Sequence, residues 1–312
     1  MIVGIDIGGT KTHIVVAAER DIRDVVVASE LWQRGGLFGD PGNPRRLVDL
    51  FGQSVPASAA TPLAIGAHGC DFEDQCVRFK SLVAEVWDGP ITVVNDAQLL
   101  GPAFGVDESI ALIVGTGSIV TGQSASGAAI SAGGHGWLLE DPGSAPGIAR
   151  EAVRAVLRSL DEGLPRDSLA EALMQHYGVG NEVELSYQFT RAPSISGWAA
   201  LATTVFAAAN AGSALAAKVV DDAADRLAES VIQVRSRGAV GSLVIAAGGV
   251  ISNQPRMFDS VRDHLSARDT DLDLRLLQVT PVRGALELAK RMEQELENYN
   301  RGGTDETQQA VR

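Results

Sequence analysis

The sequence has little of what marks several common protein classes. It contains two cysteines, Cys70 and Cys76, in 312 residues, so we expect no disulfide framework and a reducing, cytoplasmic location. Lysine and arginine number 26 against 39 acidic residues, and the net charge of -13 argues against nucleic acid or an anionic membrane as a partner. The one long uncharged run, at 198–217, contains Asn210 and predicts a buried helical segment rather than a membrane span. The chain starts directly with a predicted strand, so we expect no signal peptide.

Two common nucleotide-binding motifs are also missing. The sequence has no P-loop of the form G-x-x-x-x-G-K-[ST], and no G-x-G-x-x-G turn opens a helix. Neither a P-loop nor a Rossmann domain is therefore predicted. The acidic charge still permits a phosphate ligand, because a local group of N–H donors and a metal ion can bind one in an acidic protein.

The first eighteen residues predict a β-hairpin with a glycine turn. Two apolar runs flank Asp6-Ile-Gly-Gly-Thr-Lys-Thr, and the two glycines could take positive φ and let a ligand approach the backbone. The N–H groups, hydroxyls and ammonium of such a turn suit a phosphate. The expected phosphate contacts are Gly8, Gly9, Thr10, Lys11 and Thr12. Asp6 is expected to hold Mg²⁺ through water; an ordinary glycine hairpin with solvated side chains is the alternative.

A second copy of this pattern follows in the middle of the chain. The buried strand 110–114 leads into Gly115-Thr-Gly-Ser and a second strand. The expected phosphate contacts of this turn are Gly115, Thr116, Gly117 and Ser118. The repeat predicts two similar domains that face each other. Strands that alternate with helices indicate an α/β fold with parallel strands, whose ligands bind at the carboxyl ends of the strands.

Further candidate segments follow predicted strands. A glycine-rich loop at 34–43 contains Gly36, strand 91–94 ends at Asn95-Asp96, and strand 243–247 ends at Gly248-Gly249. A second glycine-rich loop, at 133–144, contains Gly134 and Asp141. Two loop histidines, His68 and His135, fit a packing role better than a catalytic one.

Together these segments resemble the sugar kinase/actin/Hsp70 ATPase superfamily, and within it the N-acetylglucosamine kinase branch grouped with the BadF/BadG-type ATPases. The motifs that carry the resemblance are Asp6-Ile-Gly-Gly-Thr-Lys-Thr, Gly115-Thr-Gly-Ser, Gly134-His-Gly-Trp-Leu-Leu-Glu-Asp-Pro-Gly-Ser, Gly248-Gly-Val and Pro281-Val-Arg-Gly-Ala-Leu-Glu-Leu-Ala. One departure matters, because the family usually has Gly-Asp-Glu-Gly-Ser where this chain has Glu140-Asp-Pro-Gly-Ser. The identity of the sugar is therefore left open.

The resemblance implies two duplicated actin-like (ribonuclease H-like) domains around a central nucleotide and sugar cleft. The N-terminal domain would take residues 1–104 and a closing helix at 286–312, and the C-terminal domain residues 105–285 with a helical insertion. The implied activity is ATP-dependent transfer of the γ-phosphoryl group to a hydroxyl of an amino sugar, N-acetylglucosamine or glucosamine. ATP and Mg²⁺ would be the cofactors, and a homodimer is expected.

The resemblance also assigns roles to residues. Asp96 would be the base that takes the proton of the attacking hydroxyl, with a helix N-cap as its structural alternative. Gly248 and Gly249 would join the glycine turns in binding ATP. The implied sugar contacts are Gly36, Asn95, Asp96, Thr116, Gly134 and Asp141. For Asp141 the alternative is an Asp-Pro turn.

Two other functions remain as alternatives. One is a BadF/BadG-type ATPase that activates another enzyme through an iron–sulfur cluster shared between subunits, which needs cysteine ligands. Cys70 and Cys76 lie close together, with Cys76 on the buried side of a predicted helix, so they suit this poorly. The other is a non-enzymatic regulator that binds sugar or ATP. Related regulators begin with a helix-turn-helix or carry a cysteine zinc cluster, and neither is predicted here.

Overall fold

The computed structural model describes residues 1–18, 21–52, 55, 61–191 and 194–309, with side chains described in these ranges except at residue 195 and after residue 298. Within them the strands are β1 (Ile2–Ile7), β2 (Lys11–Ala17), β3 (Ile22–Ala28), β4 (Leu63–Ala67), β5 (Ile91–Asn95), β6 (Ile110–Val114), β7 (Ser118–Gln123), β8 (Ala129–Gly133), β9 (Leu243–Ala247) and β10 (Asp273–Leu276). The helices are α1 (Asn43–Asp49), α2 (Glu73–Ala84), α3 (Leu100–Phe104), α4 (Ala145–Asp161), α5 (Ser168–Tyr177), α6 (Glu182–Arg191), α7 (Ile195–Asn210), α8 (Ala214–Ser236), α9 (Gly249–Asn253), α10 (Pro255–Arg268) and α11 (Val282–Gln309). Short 3₁₀ turns cover Ser29–Leu31 and Asp96–Leu99.

The chain forms two compact units. Unit 1 comprises Met1–Asp107 and Leu277–Arg312, and unit 2 comprises Glu108–Leu276. The domain limit expected between residues 285 and 286 falls inside α11, whereas unit 1 resumes at Leu277. The buried residues Val282, Ala285 and Ala289 all belong to clusters of unit 1, so the helix packs there from its first turn.

The sheet of unit 1 has the strand order β3-β2-β1-β4-β5. The strands β1 and β2 pair antiparallel, as do β2 and β3, while β4 and β5 continue the sheet parallel to β1. The predicted first hairpin is thereby confirmed. Parallel pairing places the carboxyl ends of β1, β4 and β5 at one edge of the sheet, where ligands of such sheets bind.

The sheet of unit 2 repeats this topology. Its order, β10-β9-β6-β7-β8, becomes β8-β7-β6-β9-β10 when it is read from the other edge. The strands β6, β7 and β8 again pair antiparallel in turn. The strand β9 pairs parallel with β6, and β10 pairs parallel with β9. The prediction of a duplicated α/β fold of the actin-like type is confirmed.

The helix α11 packs so closely on unit 1 that two positions require glycine. A Cβ atom on Gly4 in β1 would lie 2.8 Å from the backbone nitrogen of Leu286, and one on Gly284 would lie 2.0 Å from the carbonyl oxygen of Leu99. Both distances are shorter than contact distance, so a larger residue would push the helix away from β1 or from the 3₁₀ turn that contains Leu99.

The uncharged run at 198–217 forms α7 and the start of α8. Its core-facing residues Leu201, Val205 and Phe206 are at most 2% exposed, so the predicted buried helical segment is confirmed. Among the described residues no single helix is long and apolar enough to cross a membrane. The helices α7 and α8 reach that length and composition only together, with a bend of 114° between them.

Candidate active site

The first glycine turn joins β1 to β2 in unit 1. The Gly8 N–H donates a hydrogen bond to the Lys11 carbonyl at 2.8 Å, and the Ser29 N–H donates to the Thr10 carbonyl at 3.0 Å. Gly9, Thr10 and Lys11 are exposed. The exposed backbone and the lysine side chain therefore present the donors that the sequence predicted for a phosphate.

The two glycines of this turn serve a different purpose from the one expected. Neither Gly8 nor Gly9 has a positive φ, so that part of the prediction was wrong. A Cβ atom on Gly8 would instead lie 3.1 Å from the Lys11 carbonyl oxygen, and one on Gly9 would lie 3.6 Å from the imidazole of His68. Close approach, rather than an unusual backbone conformation, accounts for the small residue at Gly8, whereas the contact at Gly9 is an ordinary van der Waals distance.

The Thr12 side chain is part of the interior of unit 1. It is 0% exposed, its hydroxyl accepts a hydrogen bond from the Trp32 indole at 2.9 Å, and it lies 3.0 Å from the Ser29 hydroxyl. The Ser29 hydroxyl donates to the Gly8 carbonyl at 2.9 Å. This corrects the expectation that the Thr12 hydroxyl faces a phosphate, because its hydrogen-bonding capacity is used to support the turn from inside.

Two carboxylates influence each other beside this turn. Burial raises the pKa of Asp6, in β1, to about 7, and the charge of Asp96, which follows β5, adds to the increase. Burial also raises the pKa of Asp96, while His68 and the Ala97 N–H oppose that increase. A pair of partly buried carboxylates that disfavour each other's ionisation suits a cation or a proton-transfer role.

The donor set fits Mg²⁺ of the kind used in phosphoryl transfer. In the part of the chain that the structure describes, no three or more His, Cys, Asp and Glu side chains form a cluster that could hold a metal. A dedicated protein cage is thus lacking there. Mg²⁺ commonly binds one or two carboxylates and completes its shell with water and substrate phosphate, and Asp6 supplies such a carboxylate.

The segment after β4 organises the end of β5. Because β4 and β5 pair parallel with Ala67 opposite Asn95, their carboxyl ends lie side by side. The Asn95 amide donates to the Cys70 carbonyl at 3.2 Å and to the Asp71 carboxylate at 3.3 Å. These supporting residues were not predicted from the sequence, although their place after a parallel strand is a usable signal.

Asn95 is the helix cap at this junction. Its side chain accepts the Ala97 N–H at 3.0 Å, and its own N–H donates to the Gln98 side chain at 3.2 Å. The Oδ1 atom of Asp96 also accepts the Ala97 N–H, at 3.0 Å. The Oδ2 atom of Asp96 accepts no hydrogen bond from the described residues, and the side chain is 19% exposed. One carboxylate oxygen of Asp96 is therefore available to a substrate proton.

The loop that contains Gly36 is held by a buried asparagine. The Asn43 amide donates to the carbonyls of Arg34, Gly36 and Leu37, and its oxygen accepts the Arg34 N–H at 2.9 Å. Gly36 has a φ of +79° and open space where a Cβ atom would lie. The loop is therefore ordered from within, and the Gly36 backbone faces outward.

The second glycine turn lies in unit 2. The Gly115 N–H donates to the Gly117 carbonyl at 2.8 Å, and Gly115 in turn accepts the Ala145 N–H at 2.8 Å. Thr116 is exposed at the tip. Ser118 is 4% exposed and its hydroxyl has no partner among the described residues. The side chain of Thr116, but not that of Ser118, is thus open to solvent.

Asp141 folds back onto this turn. It is 4% exposed, its Oδ1 atom accepts the Gly136 N–H at 3.2 Å, and its Oδ2 atom lies 3.4 Å from the position of a Cβ on Gly117. Burial raises the pKa of Asp141, opposed by the Gly136 hydrogen bond and the charge of Arg150. Its carbonyl accepts the Ser144 N–H, so the residue also makes the turn that was its alternative role.

The rest of the loop at 133–144 is fixed by packing. Arg150 donates to the carbonyls of Trp137 and Leu138, and the Trp137 ring meets Trp198 edge to face with centroids 4.9 Å apart. Gly134 is exposed, with a φ of +74°. Trp137 therefore belongs to the core of unit 2, while Gly134 offers backbone to a ligand.

The two glycines after β9 differ. Gly248 has a φ of +112°, and a Cβ there would lie 2.5 Å from the Val114 carbonyl oxygen, so the fold itself requires glycine. Gly249 has no atom within 4 Å of its Cβ position, and its backbone nitrogen lies 3.4 Å from the Cβ position of Gly115. The end of β9 and the second turn are therefore neighbours in unit 2.

Residues 66–289 match the BadF/BadG/BcrA/BcrD ATPase family. The chain belongs to this family. Asp96 and the second turn lie within the matched residues, whereas the first turn precedes them. The chain is 27% identical to the N-acetylmuramic acid/N-acetylglucosamine kinase of Clostridium acetobutylicum, over 93% of this chain and 98% of that protein.

The chain is also similar to a second kinase and to a solved structure. It is 30% identical to the N-acetyl-D-glucosamine kinase of Dictyostelium discoideum, over 55% of this chain and 56% of that protein. A crystal structure from Chromobacterium violaceum, assigned as an N-acetylglucosamine kinase, superimposes with a TM-score of 0.65 at 19% identity, covering 92% of this chain and 98% of that one. At this identity the structural match supports the fold alone.

Proposed function

We propose that this ATPase family member is a kinase that transfers the γ-phosphoryl group of ATP to a hydroxyl of an amino sugar. The observation that carries the proposal is the placement, in unit 1, of the Asp6 and Asp96 carboxylates beside the exposed turn of Gly9, Thr10 and Lys11. Phosphoryl transfer needs charge neutralisation, alignment and a proton acceptor, and these groups can supply each of them.

The roles follow from the contacts of each side chain. Asp96, with its Oδ2 atom free of hydrogen bonds from the described residues, would take the proton of the attacking hydroxyl. Asp6 would hold Mg²⁺, which neutralises charge on the transferring phosphate when it is bound. In unit 1 the backbone of the first glycine turn, and in unit 2 that of the second turn and Gly249, would each offer N–H donors to a nucleotide. Asn95, fixed by Cys70 and Asp71, would contact the sugar.

Unit 2 carries binding loops of its own. The loops of Thr116, Asp141 and Gly134 would offer hydrogen-bonding groups to sugar hydroxyls and phosphate oxygens. Both oxygens of Asp141 accept hydrogen bonds when the carboxyl is ionised, and part of this capacity is lost when it is protonated. Because burial raises the pKa of Asp141, sugar binding should become stronger as the pH rises through this higher pKa. The cytoplasmic location expected from the two cysteines and the expected homodimer also remain part of the proposal.

The names of two relatives narrow the substrate class. Both curated kinases act on N-acetylated amino sugars by name. We therefore propose N-acetylglucosamine first, with glucosamine and N-acetylmuramic acid as the next sugars to examine. The alternative of an activator ATPase with an iron–sulfur cluster is not favoured, since Cys70 is 1% exposed and the Cys76 thiol donates to the Cys70 carbonyl.

The test is sugar-dependent ADP release across hexoses, hexosamines and N-acetylated hexosamines, followed by Asp96→Asn with the best substrate. Asparagine keeps the size and the Ala97 hydrogen bond but cannot accept a proton. General-base catalysis contributes about 10²–10⁴-fold, so kcat should fall by that order while KM values change little and the thermal midpoint does not fall. ADP release that no sugar stimulates would reject the kinase, and a kcat within about threefold of wild type would reject Asp96 as the base.

A further inference from the structure

His68 lies between the candidate base and the first glycine turn, both in unit 1. Its Nδ1 atom is 3.9 Å from the Oδ2 atom of Asp96. On the other side of the ring, Cδ2 and Nε2 lie 3.6 Å and 3.7 Å from the position of a Cβ atom on Gly9. The ring thus presents one nitrogen to the base and the other to the turn.

No structural role for this histidine is evident. Its side chain is 64% exposed and neither donates nor accepts a hydrogen bond among the described residues. It lies outside the hydrophobic clusters of unit 1. A solvent-exposed imidazole that is aimed at a carboxylate and not needed for packing is more easily explained by chemistry than by stability.

The placement of His68 follows from the parallel sheet. It comes directly after β4, and Asp96 directly after β5, and these strands pair with Ala67 opposite Asn95. The backbone N–H of His68 donates to the Ile7 carbonyl at 2.8 Å, which ties the residue to the end of β1 as well. The side chain is therefore carried by the rigid edge of the sheet.

We propose that His68 is a positioning residue for Asp96 in the phosphoryl transfer, and this inference rests on the proposed function. The Ala97 N–H holds Oδ1 of the carboxylate, and the imidazole N–H at Nδ1 steadies Oδ2 from the opposite side. At 3.9 Å the histidine does not occupy the oxygen as a hydrogen bond would, so Oδ2 remains able to accept the hydroxyl proton. The interaction tightens when substrate closes around the carboxylate.

The charges around this pair favour such an interaction. Burial and the charge of Asp71 raise the pKa of Asp96, and His68 and the Ala97 N–H lower it. Without His68, burial and the Asp71 charge would act on the Asp96 carboxylate with less compensation. Removal of the His68 imidazole should therefore slow the chemical step.

Three substitutions separate the two faces of the ring. His68→Ala removes both nitrogens, His68→Asn keeps an amide donor near the position of Nδ1, and His68→Gln keeps one near the position of Nε2. We expect His68→Ala to lower kcat about ten- to 150-fold, the range for one hydrogen bond to a charged group, with KM values for sugar and ATP within about twofold. His68→Asn should restore most of kcat, and His68→Gln should not.

The control is His176→Gln, because His176 is an exposed histidine on α5 of unit 2. It should leave kcat and KM unchanged. A loss in His68→Ala that appears in KM, a kcat within twofold of wild type, or equal recovery by the Gln and Asn variants would each overturn the inference.

A second measurement does not depend on turnover. In the ligand-free protein, the ¹⁵N resonance of the His68 imidazole should shift in Asp96→Asn, while that of His176 should not. An unchanged His68 resonance would reject the pairing even if the kinase is active. A shifted resonance in a protein that no sugar stimulates would reject the proposed function and leave the pairing intact.

Discussion

The carboxyl group of Asp6 should make the protein less stable as the pH rises, and Asp6→Asn should remove that effect. Burial raises the pKa of Asp6 from 3.8 to about 7. The folded protein therefore binds a proton that the unfolded chain releases between about pH 4 and 7, and stability decreases through this window and levels off above it. About three pH units at 1.36 kcal/mol each place the cost of ionising Asp6 at about 4 kcal/mol.

Asparagine resembles the protonated carboxyl in size but cannot ionise. The free energy of unfolding of Asp6→Asn should therefore exceed that of wild type by about 1 kcal/mol near pH 4.5 and by about 2–4 kcal/mol at pH 8. Denaturant unfolding in EDTA at a series of pH values measures the difference. Asp88→Asn, which replaces an exposed carboxylate of the same unit, is the control and should follow the wild-type curve.

Mg²⁺ provides the link from this stability effect to function. A cation beside Asp6 favours the ionised form, so Mg²⁺ with an ATP analogue should stabilise wild type at pH 8 more than it stabilises Asp6→Asn. The variant should also lose most of its sugar-dependent ADP release. Parallel stability curves for wild type and variant from pH 4.5 to 8 would refute the reasoning about Asp6.

Two further predictions concern the glycine turns. Thr12→Val should lower the free energy of unfolding by about 1–3 kcal/mol, because it leaves the buried Trp32 indole N–H without an acceptor, and Thr12→Ser should restore it. Normal stability with lost ATP affinity would instead place the Thr12 hydroxyl on the phosphate. Gly249→Val should weaken ATP binding in calorimetry at least about tenfold without lowering the thermal midpoint. Gly248→Ala should lower the midpoint, since a Cβ there would lie 2.5 Å from the Val114 carbonyl oxygen. Unchanged ATP affinity in Gly249→Val would remove that residue from the nucleotide site.

Local patterns in the sequence were sufficient for the architecture. Apolar runs interrupted by glycine turns predicted both hairpins, and their recurrence predicted the duplication that the two sheets display. These inferences succeed because a hairpin is encoded by consecutive residues, and because a buried strand needs an unbroken apolar run. The ends of strands β5 and β9 were predicted for the same reason, and with them the places of Asp96 and Gly249.

The contacts that define each side chain's role were decided only by the tertiary structure. Thr12 and Lys11 are neighbours in the same polar turn, yet one is buried under Trp32 and the other is exposed. His68 reaches Asp96 because β4 and β5 pair in parallel, a contact between segments that are distant in sequence. The pKa of Asp6 depends on burial and on that same distant carboxylate. Residue type and spacing identify which groups can do chemistry, but their ionisation and partners depend on non-local packing, which no local pattern encodes.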